Sequence, residues 1–225
     1  VFNGSPRRKA SNSKILLDAF MEGFSSVSQD PWEVHYLLDI KRNPAHLEAI
    51  QRADYILVIF PLYTDAMPGI VHYFFESMVD SGVAEGKALG FIVQSGFPES
   101  KHSIFVERYL EKLAQRLDAR YLGTVIRGGV EGIQIQPPSM TRLLLGKFRS
   151  LGAYFARNRE WDPRIVKKLA HPVRFNRYRL AMFRFFSIIG LINFYWNKKL
   201  REHKAYDRRF DRPYEPEQKE KSKAL

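Results

Sequence analysis

Short runs of β-prone apolar residues alternate along this chain with longer segments whose apolar positions recur every three or four residues. Residues 55–60 (YILVIF) and 88–93 (ALGFIV) have no polar face, the pattern of strands covered on both sides. Residues 1–2, 34–38 (VHYLL) and 121–126 read as three further strands. Between them, Ile15, Leu16, Ala19 and Phe20 fall on one helical face, and Asn43 and Pro44 open a short helix over 45–52. Ile70, Val71, Phe74, Phe75 and Met78 mark a third helix. Val106, Leu110, Leu113 and Leu117 follow at steps of four, three and four and predict a helix over 103–117, and a fifth is expected over 141–155.

Strands separated by single helices pair in parallel and are covered on both faces. The expectation is an α/β, flavodoxin-like three-layer sandwich with a five-stranded parallel sheet in the order 2-1-3-4-5, plus a helical C-terminal extension. The expected divisions are 1–158 for this domain, 159–201 for a basic helical extension and 202–225 for a charged tail. In such a sheet a ligand sits beyond the carboxyl ends of the strands, where the strand order reverses.

Composition narrows the chemistry. At 225 residues and 45% hydrophobic, the chain is long and apolar enough to bury a core without staples. It has no cysteine, which excludes disulfides, thiolate zinc sites, cysteine-ligated iron–sulfur clusters and a cysteine nucleophile. Any redox chemistry must then come from a bound cofactor. His35, His46, His72, His102, His171 and His203 are scattered without a ligand pair at i, i+4, and no Gly-x-Ser-x-Gly elbow exists, so no metal site and no catalytic side chain is expected. The net charge of +12 is uneven: residues 1–158 hold 18 basic and 16 acidic side chains, and residues 159–225 hold 18 and 8. A nearly neutral domain carries a basic appendage.

Three loops lie where a ligand would sit. After the first strand come Asn3, Gly4, Ser5, Pro6 and Arg7, then Ser11, Asn12 and Ser13 leading into a helix. Small hydroxylated residues, open amides at a helix N-terminus and an arginine make a phosphate cradle. A plain turn with Ser11 or Asn12 as helix cap is the competing account of the same residues. The loop is neither a Walker loop nor Gly-x-Gly-x-x-Gly. After the third strand come Pro61, Leu62, Tyr63, Thr64 and Asp65, where an aromatic and several amides suit a flat heteroaromatic ring. Ser95, Gly96 and Phe97 follow the fourth strand, and the Gly128-Gly129 turn after the fifth reads as punctuation.

Asn-Gly-Ser-Pro-Arg with Ser11-Asn12-Ser13, then Pro-Leu-Tyr-x-Asp-x-Met-Pro-Gly, then Ser-Gly-Phe-Pro-Glu, resembles the NADPH-dependent FMN reductase family over residues 1–158. The resemblance implies non-covalently bound FMN, NADPH or NADH as hydride donor, and a quinone, flavin or similar small molecule as acceptor. It also implies a homodimer. Carried over, Ser5, Arg7, Ser11, Asn12 and Ser13 would hold the phosphate, and Pro61, Leu62, Tyr63, Thr64 and Asp65 would line the ring. Ser95, Gly96 and Phe97 would close its pyrimidine side. A non-enzymatic flavodoxin-type electron carrier shares the fold, but such carriers are acidic as a group and this chain is basic.

The extension leaves three readings open. Residues 163–170 form a short helix ended by His171-Pro172, and 175–200 read as one basic, aromatic helix. From Arg164 to Arg201 there are ten Lys or Arg and no Asp or Glu. This segment packs on the domain or a dimer partner, seats itself peripherally on an anionic membrane through 174–201, or meets nucleic acid. No nucleic-acid motif is present, and that partner is not expected. The opening residues show no basic or apolar leader pattern, so the expected location is cytoplasmic, with or without peripheral membrane contact.

Overall fold

The structure, a computed structural model, describes residues 1–188, 190 and 193–212 and, of Tyr195, the backbone alone. Its sheet is built from β1 (Phe2–Asn3), β2 (His35–Tyr36), β3 (Tyr55–Pro61), β4 (Ala88–Gln94) and β5 (Arg120–Arg127). All neighbours pair in parallel, in the order β2-β1-β3-β4-β5. The helices are α1 (Asn12–Ser25), α2 (Asn43–Gln51), α3 (Gly69–Ser81), α4 (Ile104–Arg116) and α5 (Pro138–Asn158). The expected sheet order holds. β2 is shorter than the five residues its apolar pattern suggested, because only His35 and Tyr36 meet β1 in register. α5 starts earlier than its apolar periodicity did, since Pro138 fits the first turn of a helix without needing an apolar partner.

Two cores sandwich the sheet. Phe60, Phe74, Met78, Phe91 and Leu110 fill the side covered by α2, α3 and α4, and Leu16, Phe20, Ile59, Phe148 and Leu151 fill the side covered by α1 and α5. α1 and α5 touch backbone to backbone. A Cβ at Gly23 would overlap the Arg149 carbonyl, and one at Gly152 would overlap the Phe20 carbonyl. Two glycines on facing helices therefore set the distance between them.

The first compact unit runs over Val1–Phe175, past the boundary expected at 158. The reason is a platform in the sheet. Gly90 of β4 and Gly123 of β5 are register partners, and the indole of Trp161 lies over both. Its Nε1 donates to the Gly123 carbonyl at 3.2 Å, while its ring packs 4.9 Å from Phe155 and 5.8 Å from Phe20. α6 (Pro163–Leu169) follows, capped by Asp162, and ends in fully buried Leu169. Residues 159–175 thus belong to the domain's core rather than to an appendage.

The second unit, Asn176–Leu225, holds α7 (Arg177–Ile188) and α8 (Phe194–Glu202) among its described residues. The single helix expected over 175–200 is therefore two, and between them Gly190 takes a left-handed φ of 75°. No residue of α7 is buried. Among the described residues no helix is long and apolar enough to cross a membrane. The expected tail from 213 onward lies outside the described residues.

Gly152→Ala should lower stability by about 2 kcal/mol or more, because the added methyl drives two backbones apart. Gly146→Ala in the same helix meets open space and should instead raise stability by about 0.5–1 kcal/mol. Urea denaturation read by circular dichroism checks both signs. Buried His46 stands 5.6 Å from the His35 ring, and burial, then repulsion from His35, holds its pKa below the ordinary 6.5. The unfolded chain therefore binds this proton first as pH falls, and stability should drop below pH 6.5. Thermal melts at neutral and mildly acid pH should show the loss, and His46→Gln should reduce it.

Candidate functional site

The first loop leaves β1 tightly held. Gly4 donates to the Ile59 carbonyl at 2.8 Å, and a side chain there would run into Val71 of α3. Buried Asn3 turns the chain by accepting from the Ser5 amide at 2.9 Å. Ser5, Ser11, Asn12 and Ser13 are buried, whereas Arg7 is exposed. Ser11 is the N-cap of α1: its Oγ accepts from the Lys14 amide at 3.1 Å and donates to the Arg8 carbonyl at 2.6 Å. The competing account is thus correct for that hydroxyl. Asn12 Nδ2 donates to the Val130 carbonyl at 3.1 Å, and Ser13 Oγ accepts from Gln94 Nε2 at 3.4 Å. The side chains of Ser11, Asn12 and Ser13 therefore fasten the helix start, and the amides of Asn12 and Ser13, which have no acceptor within the helix, head its axis. Arg7 Nη1 lies 3.9 Å from the Glu131 carboxylate.

The second loop is held by β3 and β4 together. The buried Leu62 donates its amide to the Gln94 carbonyl at 2.8 Å. Tyr63 and Ala66 then exchange two backbone hydrogen bonds, at 2.9 and 3.0 Å, around Thr64 and Asp65. Both central residues have left-handed φ, 49° and 60°. That conformation suits glycine or asparagine, and a β-branched threonine adopts it at a cost, so the loop stores strain at the carboxyl edge of the sheet. Tyr63 is 45% exposed.

The third loop meets the other two. Ser95 donates to the Arg127 carbonyl at 3.0 Å, Val130 to the Ser95 carbonyl at 3.1 Å and Gly129 to the Phe97 carbonyl at 2.7 Å. A Cβ at Gly128 would stand 2.6 Å from the Phe97 oxygen, so the Gly128-Gly129 turn is a packing surface for this loop. Phe97 stacks on His102 at 4.6 Å, and His102 Nδ1 lies 3.8 Å from the Asp65 carboxylate. The backbone and side-chain contacts thus bring all thirteen expected residues to one edge of the sheet, around the reversal of strand order between β1 and β3.

Sequence reasoning missed the residues that join the loops. Gln94, Val130 and Glu131 carry no motif of their own, and only the paired glycines after β5 hinted at a fourth contributing loop. It also missed a strap. Ser100 and Lys101 donate their amides to the carbonyls of Pro172 and Val173 at 3.1 and 3.2 Å, Ser100 Oγ donates to the Ala170 carbonyl, and Glu99 accepts from the Phe175 amide. Arg127 Nη1 donates to the carbonyls of Leu169 and His171 at 3.3 and 3.1 Å, and burial lowers the pKa of its guanidinium. Residues 169–175 so pin the third loop from outside. Beside the site runs an apolar groove lined by Pro6, Leu38, Ile40, Tyr63 and Met67. A more enclosed cleft, lined by Trp32, Tyr55 and Arg159, lies at the amino ends of the strands and contains none of the expected site residues.

No protein-family model and no curated protein sequence matches this chain. Solved structures do. An NAD(P)H:quinone oxidoreductase from Methanothermobacter marburgensis is 17% identical with a TM-score of 0.56, over 68% of this chain and 94% of that one. General stress protein 14 from Treponema denticola, in complex with FMN, is 15% identical with a TM-score of 0.53, over 69% and 96%. An azoreductase from Bacillus anthracis is 14% identical with a TM-score of 0.54, over 68% and 98%. At these identities the likeness is one of architecture, and with the strand order it shows that this chain has the flavodoxin-like fold.

Proposed function

We propose that this chain is an FMN-dependent NAD(P)H oxidoreductase that passes hydride from NADPH or NADH to a quinone, a flavin or a similar small acceptor. The observation that carries this reading is the convergence of three loops, from β1, β3 and β4, on the strand-order reversal, with a helix N-terminus aimed into it. The names of the structural neighbours, among them quinone and azo reductases and an FMN complex, support the same chemistry.

The residues present fit FMN. A phosphate would meet the Asn12 and Ser13 amides, the Ser5 hydroxyl and Arg7, while Ser11, Asn12 and Ser13 hold the helix start in place with their side chains. Asn3 Nδ2 is buried without a partner directly behind this loop, a donor in want of an acceptor. The ring would lie against 61–65, with Tyr63 and the apolar groove at its side and 95–97 at its polar edge. Bound FMN would supply the hydride-accepting ring that a cysteine-free chain otherwise lacks. The protein's share is orientation and electrostatics: amides of the ring loops stabilise negative charge, and Tyr63 and Phe97 shed water from the reacting face. No side chain need act as acid or base.

We infer further that the active form is a homodimer. Exposed Phe105 and Tyr109 share one face of α4 and give it an apolar surface.

Purified protein should take up FMN with a flavin absorption spectrum, and the loaded protein should oxidise NADH or NADPH when given a quinone. A flavin-loaded protein inert toward both nucleotides would be an electron carrier instead. Arg7→Gln should weaken FMN about threefold while leaving riboflavin, which lacks the phosphate, unchanged, because the exposed Arg7 exchanges its Glu131 partner for the phosphate. Glu131→Gln should act oppositely and tighten FMN, because it frees Arg7 and removes a carboxylate from the cradle. Fluorescence-quenching titrations with the two flavins read both effects.

A further inference from the structure

We propose that α7 and α8 seat the protein on the surface of an anionic lipid bilayer. This does not depend on the flavin reading. α7 exposes apolar side chains on every side: Leu180, Met182, Phe185 and Phe186 stand in solvent, and Ile188 is 84% exposed. Trp196 of α8 is 57% exposed. Side chains of this size are ordinarily buried, and a cluster of them in water marks an interaction surface.

The charges say what covers it. Arg177, Arg179 and Arg184 punctuate α7, Lys198, Lys199 and Arg201 follow in α8, and no acidic residue occurs between them. Two copies of such a surface would bring like charges together as they joined their apolar side chains. Nucleic acid would meet the cations and leave Leu180, Met182 and Ile188 in water. An anionic bilayer satisfies both sets at once, with headgroups for the arginines and lysines and the acyl boundary for the aliphatic and aromatic side chains. Arginine stems reach from an apolar layer to the headgroups, which explains how Arg184 can sit among Phe183, Phe185 and Phe186. At twelve residues α7 is about 18 Å long against a hydrocarbon core of about 30 Å, so it lies in the interface and does not span it.

The test is co-sedimentation of the full chain with vesicles of phosphatidylcholine, with and without phosphatidylserine. Binding is expected with phosphatidylserine, and salt should weaken it. Phe185→Ser with Phe186→Ser should abolish sedimentation, and each of Arg177→Gln, Arg179→Gln and Arg184→Gln should lower the partition coefficient about fivefold. Because these side chains are exposed, the thermal transition of each variant should match the parent, which separates lost docking from lost folding. Three outcomes overturn the proposal. One is indifference of the full chain to both vesicles. Another is vesicle binding that the double serine variant leaves intact. The third is binding to duplex DNA, or self-association lost in that double variant, in a protein that ignores vesicles.

Discussion

The geometry of the site hangs on the contact between α1 and α5. Gly23 and Gly152 let the two helices meet at their backbones, and this closeness fixes where α1 lies against the sheet. An α-helix is stiff over the fourteen residues of α1, so a shift at Gly23 is carried to its start at Asn12. That start is where the amides open, where Asn12 reaches the loop after β5 and where Ser13 meets Gln94 of β4. A methyl group added on the far side of the domain thus disturbs a cradle it never touches. Packing between α1 and α5, together with the side-chain bonds of Ser11, Asn12 and Ser13, sets its precision.

The strap constrains the same edge from the other end of the sheet. Trp161 and Leu169 anchor residues 159–175 in the core beside α5, and the carbonyls from Leu169 to Val173 then receive donors from Ser100, Lys101 and Arg127. The third loop is held on its inner side by the glycine turn after β5 and on its outer side by this strap. The second loop has no such support and keeps two left-handed residues, Thr64 and Asp65, in its turn. The third loop meets it where His102 Nδ1 lies 3.8 Å from the Asp65 carboxylate.

The sheet and its order were legible because a continuous apolar run such as YILVIF has one physical use, a strand covered on both faces. The candidate residues were legible because small, hydroxylated and glycine residues after a strand leave amides open. What the sequence hid depends on pairing across distance. Gly90 reads as a weak point in a strand until Gly123 is seen beside it and Trp161 above both. Gln94 is an ordinary polar residue at a strand end until its partner, Ser13, arrives from a different part of the chain. The boundary at 158 followed the charge count, and charge says little about a segment that buries one tryptophan and one leucine. Likewise the break between α7 and α8 falls in an apolar stretch where Gly190 and Asn193 are its sole marks in the sequence.

Electrostatics at the proposed phosphate cradle argue that its affinity would come mainly from the backbone. Arg7 is half exposed and already faces Glu131, so an arriving anion does not gain a free cation but competes for a paired one. The exchange is worth the difference between two charge-assisted interactions, both screened by water. The amides of Asn12 and Ser13 face no such competition: they are oriented by the helix, held by buried side-chain bonds, and cost nothing to reorganise. A cradle built this way suits a ligand that is also held by its ring, since the phosphate then needs positioning more than strength. In the proposed FMN site the ring loops would supply that second hold through Tyr63, Phe97 and the apolar groove beside them. Division of the binding between a backbone cradle and an aromatic slot would let a domain that is close to neutral over residues 1–158 accept the proposed anionic cofactor.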